Sequence, residues 1–380
     1  MEVFLSQFIF GIQRGTIYAL IALGYTMVYG VVRLINFAYG EVFMLGALFS
    51  FFIIQLMPLP PVLNVIVALL VPMALCAILG LAMDTVAYKP LRAKPRLAAL
   101  ITAIGVSFFL SNLVSYIGPD SVRTVSVLLF ATAGLVILMT LSQKLFNFPK
   151  VPKSTGINWL KRSIMVGSLC LLGAVAWIAK PALALLRWKG SSFTAFPVDK
   201  LFEVVKYPIF GSVYITNVQI VIIIVAVVLM VALSFLVNRT MLGMAMRASK
   251  NNKEAVSLMG INVNSVIAFT FIIGTALAGA AGVLSAITYP RITAFMGIQP
   301  GLKAFIAAVL GGIGSIEGAM VGGIIMGLAE QFAIGLAPSS FGAAHIDFTP
   351  LAEGISFAIL IVVLLLRPQG IFGEPPQDKV

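Results

Sequence analysis

The sequence predicts an all-α fold, a polytopic bundle of roughly ten helices each long enough to cross a bilayer. Two observations carry this. Of 380 residues, 60% are hydrophobic and only 10% are charged, with a mean hydropathy of +1.08. A soluble domain carries roughly 25% charged residues. Apolar runs close to the bilayer-crossing length of about 20 residues recur along the chain, separated by polar connectors. The formal charge of +12 then belongs to loops that set orientation, not to a nucleic-acid interface. Cys76 and Cys170 both stand in apolar runs without metal-ligand spacing, as packing residues. The opening MEVFLSQF has no cationic leader, so the first run is expected to remain as a span.

Span one covers residues 8–32. Gly11 and Gly15 form a GxxxG pair that lets helices approach closely. Tyr18, Ala22, Tyr25 and Tyr29 share one helical face, suited either to packing or to lining a substrate path. Span two, after Arg33, holds Asn36, Gly40 and Glu41. A carboxylate in an apolar segment is costly and marks function by default. The alternative is pairing with a base or the backbone near the membrane edge. Asn36 and Gly40 also offer a helix break of the kind that lines transporter cavities. After Pro58, Pro60 and Pro61, span three runs over 62–88, with Asp84 expected as a structural ion-pair partner for the cations that follow. The loop of Lys89, Arg92, Lys94 and Arg96 is expected in the cytoplasm, which places the N-terminus outside.

Span four covers 97–117. Runs at 122–141 and 163–186 predict an inserted hairpin of two spans. With an outer loop it occupies 120–209 within a single membrane domain, 1–380. The outer loop carries Arg187, Lys189, Lys200 and Lys206, against the charge rule, and only the parity of spans puts it outside. Span 214–237 delivers the chain to the basic loop 239–264. In 265–288, Gly274, Ala278 and Gly282 form a small-residue face for tight packing. Residues 302–310 are too short to span and lead into GGIGSIEGAMVGGIIMG, where Gly314, Gly318 and Gly322 form a ladder beside Glu317. That predicts a re-entrant or broken element followed by a span to 336; two short spans joined at Gly314 and Ser315 are the alternative. His345 and Asp347 fall in a polar loop, and a last span covers 351–366. AYGEVFMLG and GSIEGAMVG are similar, a weak internal repeat such as transporters are built on.

The loop 239–264, RTMLGMAMRASKNNKEAVSLMGINVN, breaks the apolar pattern. It carries Arg239, Arg247, Lys250 and Lys253. Asn251 is placed to cap a helix with Glu254 near its start, close to a capping box. Gly260 is placed to end that helix. A short, well-terminated helix in a basic cytoplasmic loop is expected where a partner protein docks.

Chemistry of other kinds finds no residues. There is no HExxH, and GGIGSIEG lacks the GK[ST] ending of a phosphate-binding loop. One histidine makes no metal centre. Glu41, Asp84, Glu317, Glu330 and Glu353 lie scattered in apolar context, which keeps an ion-coupled secondary amino-acid carrier as an alternative. The candidates for a translocation path are Tyr18, Tyr25, Asn36, Gly40, Glu41, Gly314, Glu317 and Gly318. The chain thus offers a path and a docking loop but no energy source of its own.

Glu254-Ala255-Val256-Ser257-Leu258-Met259-Gly260 resembles the EAA-xxx-G cytoplasmic loop of ABC importer permeases, with Val256 in place of the motif's second alanine. Taken with GTIYALIALGYTMVYGVVRLINFAYGE, RLAALITAIGVSFFLSN and LLLRPQGIFG, the chain is similar to the permeases of branched-chain amino acid ABC importers. The likeness covers most of the chain outside 120–209. It implies a transport subunit, not an enzyme, in the bacterial inner membrane, passing leucine, isoleucine or valine. Urea or short amides are the alternative within that class. It also implies a second related permease chain, two cytoplasmic ATPase subunits that hold ATP and magnesium, and a periplasmic substrate-binding protein, with no cofactor on this chain. Carried over, Arg247, Glu254, Ala255, Leu258, Met259 and Gly260 would couple the permease to an ATPase. The coupling loop and the C-terminus would be cytoplasmic and the N-terminus periplasmic.

Overall fold

A chain inside a bilayer has no water to satisfy its amides, so each spanning segment must close its own backbone hydrogen bonds. The long apolar runs are accordingly helical in the computed structural model, which describes residues 2–32, 36–56, 59–92, 95–116, 192–211, 213–336, 349–367 and 369–373. The helices are α1 (Glu2–Val32), α2 (Tyr39–Leu56), α3 (Pro61–Met83), α4 (Arg96–Tyr116), α5 (Asn217–Arg239), α6 (Met241–Asn251), α7 (Lys253–Leu258), α8 (Val263–Thr288), α9 (Ile298–Gly311), α10 (Ile316–Leu336) and α11 (Thr349–Leu366). A short antiparallel hairpin, β1 (Lys206–Phe210) with β2 (Val213–Thr216), precedes α5, so residues 214–216, expected to open the span, are extended instead.

The chain divides into two compact units, Met1–Leu110 with Ala195–Val380, and Ser111–Thr194. Of the second, only 111–116 and 192–194 are described, so the inserted hairpin and Cys170 lie outside the described residues, as do His345 and Asp347. Seven helices among the described residues are long and apolar enough to cross a membrane. α9, with 14 residues, is not. The broken element is therefore real: α9 ends at Gly311, and α10 starts afresh at Ile316. Gly312 and Gly314, at φ +105° and +98°, make the turn in a conformation that a side chain disfavours.

α1 is the central helix. It packs along α10, α8 and α9, and its residues 15–28 are buried without interruption. α3, α4 and α5 instead turn apolar side chains outward, among them Val62, Ile66, Leu70, Ile101, Phe108, Val228 and Phe235. A helix apolar on its outer face belongs against lipid or another membrane helix. The small residues do what their spacing predicts. Gly11 and Gly15 of α1 receive Leu328 and Ile324 of α10, and Ala278 and Gly282 are buried in α8. Cys76 is packed and buried, as expected.

The backbones of α2 and α8 touch where Gly46 meets Gly279, so any Cβ on Gly46 would enter the α8 main chain. Gly46→Leu is expected to cost about 1–3 kcal/mol by overpacking. The readout is the thermal aggregation midpoint of the detergent-solubilised protein, which should fall; an unchanged midpoint would mean the two helices part freely.

Contacts among the loops fix which segments share an end. At one end, the Lys200 ammonium donates to Gln55 at 3.1 Å, its carbonyl accepts from Asn64 at 3.3 Å, and the Phe196 amide donates to the Pro290 carbonyl at 3.1 Å. The α2–α3 turn, the 195–216 segment and the end of α8 thus lie together, with the start of α1 beside β2. At the other end, Arg92 pairs with Asp84 at 2.5 Å and also donates to Asn264 at the start of α8. Lys253 donates to Val32 at the end of α1, and Lys250 to Gly314 in the α9–α10 turn, both at 3.4 Å. The Ile371 and Phe372 amides donate to Leu310 and Gly311, which brings the end of the chain there too. The expected sidedness of 239–264 relative to 89–96 therefore stands on contacts and does not depend on the hairpin expected within 120–209.

Candidate functional site

The 239–264 segment forms two helices rather than one. Thr240 ends α5 and caps α6, its hydroxyl accepting from the Gly243 amide at 3.1 Å. Asn251 is the last residue of α6, and Asn252 is the N-cap of α7, accepting from the Glu254 and Ala255 amides at 2.9 and 3.1 Å. The expected cap at Asn251 is thus displaced by one residue. Two adjacent asparagines offer the same chemistry, and only the extended backbone of Asn252, φ −148° and ψ 109°, decides between them. The shift puts Glu254 at the second helical position, so it is no capping-box partner; it sits where the helix dipole favours an acid. Asn252→Ala is expected to cost about 1 kcal/mol of local stability. Faster hydrogen exchange confined to 253–258 would register it.

Gly260 ends α7 as predicted, with φ +80°. The Ile261 amide donates to Val256 and the Gly260 amide to Ser257, the paired bonds of a Schellman motif. Between these caps, Val256 is buried while Glu254 and Ala255 are exposed. Leu258 and Met259 stand 89% and 82% exposed. The cations of this segment are tied to backbone carbonyls. Arg247 donates to the Val237 carbonyl near the end of α5, and Lys250 and Lys253 reach the carbonyls named above. Carbonyls at helix ends lack intrahelical partners, and cations satisfy them well.

The path candidates fall at several levels along α1. Tyr18 donates to Glu330 at 2.8 Å, and Tyr25 lies two turns further along, about 10 Å on. Tyr25 stacks near Tyr39, with ring centroids 5.1 Å apart, and near Phe305. It lines a cavity of about 220 Å³ with Gly40, Glu41, Ser107, Gly297 and Gly301. There the starts of α2 and α9 meet, Gly40 against the Gly297 carbonyl. Glu41 is buried in the first turn of α2, where a helix N-terminus favours a carboxylate, and accepts from Ser107 at 2.9 Å. Below it, Tyr25, Tyr29, Phe305, Ala308 and Ile313 leave only about 10 Å³. Beyond that constriction a cavity of about 610 Å³ is lined by Thr26, Gly30, Arg247, Lys250, Gly314 and Glu317, among others.

Two candidates make contacts that shape the fold. Asn36 Oδ1 accepts from the Ala38 amide at 3.0 Å and from Tyr88 at 2.5 Å, turning the chain into α2. Gly318 packs on the Gly311 main chain. The two similar nonamers do share a local design, since Glu41 and Glu317 each stand in the first turn of a helix after a break. Glu41 is buried, however, and Glu317 exposed.

A third group of polar residues was not assembled by sequence reasoning. Glu330 Oε1 accepts from Lys303 at 2.7 Å and pairs with Arg14 at 3.2 Å, while its Oε2 takes the Tyr18 hydroxyl. Arg14 also donates to the Tyr289 hydroxyl through Nε and Nη2, at 2.9 and 2.5 Å. Four elements, α1, α9, α10 and the end of α8, meet here. A lone charge in the apolar segments of Arg14 and Glu330 was the available signal, because such charges must find partners. Lys303 lies in a run too short to span, where a lone charge sends no such signal.

The chain matches the family described as "Branched-chain amino acid transport system / permease component" over residues 7–364. It belongs to that permease family. It is 35% identical over 381 aligned residues to the high-affinity branched-chain amino acid transport system permease protein LivH of Salmonella typhimurium, covering 99% of this chain and 98% of LivH. LivH of Escherichia coli K12 gives the same identity and coverage, and BraD of Pseudomonas aeruginosa is 34% identical over the same extent. No solved structure matches.

As a member of this family the chain is a multi-pass membrane permease. The permease places two kinds of exposed apolar surface side by side. One is the outer face of α3, α4 and α5, which suits lipid or a membrane partner. The other is the small knob at the end of α7, flanked by helix ends and by polar loops.

Proposed function

We propose that this permease is the transmembrane subunit of an ATP-driven importer passing leucine, isoleucine, valine or similar small amino acids across a bacterial inner membrane. The observation that carries the coupling to ATP is α7. Leu258 and Met259 project from the fold beside an exposed Glu254, and α7 is capped firmly at both ends. Apolar side chains left this far outside, away from the long spans, call for a protein cleft. The cleft is that of a cytoplasmic ATPase, which binds ATP and magnesium. The names of the relatives supply the substrate class.

The remaining assembly follows the same reading: a second, related permease chain against the outward spans, two ATPases, and a periplasmic binding protein that delivers substrate. The α6–α7 segment and the C-terminal end are cytoplasmic, and the N-terminus is periplasmic. The path follows α1, from Tyr18 past Tyr25 and Glu41 to the 610 Å³ cavity beside Gly314 and Glu317. The ring of Tyr25, Tyr29 and Phe305 closes it between the cavities. Movement of α7 with the ATPase would shift Lys250 and Lys253, which tie it to the α9–α10 turn and to the end of α1.

The test is coexpression with the candidate ATPases, followed by uptake of labelled leucine and of labelled urea into proteoliposomes. ATP-dependent leucine uptake by a complex that copurifies with a Walker-motif ATPase is expected. Uptake that persists without ATP, or urea carried in preference to leucine, overturns the assignment.

A further inference from the structure

The charges of the Arg14 cluster do not balance. Two cations, Arg14 and Lys303, share a single carboxylate oxygen, Glu330 Oε1, at 3.2 and 2.7 Å. Their side chains are 17% and 9% exposed, and that of Glu330 is 5% exposed. Two like charges on one largely buried carboxylate oxygen leave an excess positive charge, which is costly away from water. Packing alone would be served by one cation.

The unused hydrogen-bonding capacity points the same way. Of the five N–H donors of a guanidinium, Arg14 directs two to Tyr289 and stands at ion-pair distance, 3.2 Å, from Glu330. The Lys303 ammonium, with three donors, has one hydrogen bond, to Glu330. Glu330 Oε2 takes one donor, Tyr18, and has a lone pair to spare. Among the described residues the two cations therefore keep spare donors, while Glu330 keeps one spare acceptor site.

These groups open onto a cavity of about 250 Å³, whose wall is completed by Ile17, Phe43, Ser285 and Pro300. An apolar cavity of about 150 Å³ accommodates benzene, so this one suits a molecule somewhat larger. Few convergent polar groups on an apolar wall is the usual make-up of a small-molecule site. The cavity lies above Tyr25, at the end of the path remote from α6 and α7.

We propose that Arg14, Lys303 and Glu330 form a binding site for the charged head of an α-amino acid, at the outer end of the path. The carboxylate lies between the Arg14 guanidinium and the Lys303 ammonium and answers both cations locally, while the zwitterion as a whole adds no net charge to the cluster. The ammonium donates to Glu330 Oε2. The aliphatic side chain lies against Ile17 and Phe43. This inference rests on the importer reading for its substrate class, and it adds a selection step within the membrane, independent of the delivering protein.

The test uses the assembled transporter in nanodiscs of phosphatidylcholine, without the delivering protein, and labelled leucine as the probe. Competitors are 4-methylpentanoate, which is leucine without its ammonium, 3-methylbutylamine, which is leucine without its carboxylate, and urea. With spare donors in the majority, 4-methylpentanoate should displace leucine at least tenfold better than the amine or urea. That series needs no variant. Lys303→Gln should weaken leucine binding about tenfold, the loss of one charge-assisted hydrogen bond, and Lys303→Arg should restore most of it. An amine that competes as well as the acid overturns the proposal. So does an assembled Lys303→Gln complex with wild-type affinity, or the absence of leucine binding. ATP-driven leucine uptake in the same preparation, with the delivering protein present, separates the two failures. If it persists while the cluster binds nothing, only the site falls; if it is missing, the importer reading falls.

Discussion

Glu254→Lys is expected to abolish ATP-driven uptake while leaving the permease folded. Glu254 is exposed, and its carboxylate makes no hydrogen bond or ion pair among the described residues. The capping of α7 is done by Asn252 and by the Gly260 turn, so reversing this charge removes no internal contact. Exposed substitutions of that kind stay within about 0.5 kcal/mol, apart from a small loss at the helix N-terminus. A large functional effect must therefore come from what docks on α7. Uptake should fall more than tenfold, equivalent to about 1.4 kcal/mol or more in coupling, with an unchanged thermal midpoint and unchanged membrane insertion. Gly260→Pro should be at least as severe. Its φ of +80° is closed to proline, whose ring holds φ near −65°. Leu258 and Met259 would then leave the cap at a different angle. Wild-type uptake by both variants would sink the coupling role.

Glu330→Ala carries the largest expected effect on stability. It leaves Arg14 and Lys303 close together with no carboxylate between them, and strips Tyr18 of its acceptor. Breaking a buried ion pair by removing one partner costs about 3–5 kcal/mol, because the remaining charge stays uncompensated. The thermal aggregation midpoint should drop sharply. The double variant Glu330→Met with Lys303→Met should recover much of the loss, since exchanging buried charges for well-packed apolar groups is often neutral. Arg14 retains the Tyr289 hydroxyl and ring in that background. A double variant as unstable as the single one would mean that Lys303 holds α9 by its packing and not by its charge.

Relative sidedness is what gives both predictions a common frame. The Glu254 knob and the Glu330 cluster lie toward opposite ends of α1, with Tyr25 and Glu41 between them. A variant at one end should leave the readout of the other untouched, since sites this far apart with no shared partner act additively.

The sequence by itself determined the class of the protein, because a chain so poor in charge cannot fold in water and the bilayer then dictates helices. It determined where most helices begin and end, and that α9 and α10 are separate, since Gly312 and Gly314 are local signals. It determined that α1 can be approached closely at Gly11 and Gly15, that Asp84 pairs with a cation just after it, and the end of α7 at Gly260. All of these depend on residues near one another in the chain or on a repeating face. The tertiary structure alone decided the rest. It chose Asn252 over Asn251, turned Arg247 and Lys253 onto carbonyls at helix ends and Lys250 onto a carbonyl in the α9–α10 turn, and used Asn36 and Gly318 for turning and packing the chain. It also brought Arg14, Lys303 and Glu330 to one point. The physical reason is distance along the chain: a charge in an apolar span announces that it needs a partner, but only the packing of the helices says which one it meets.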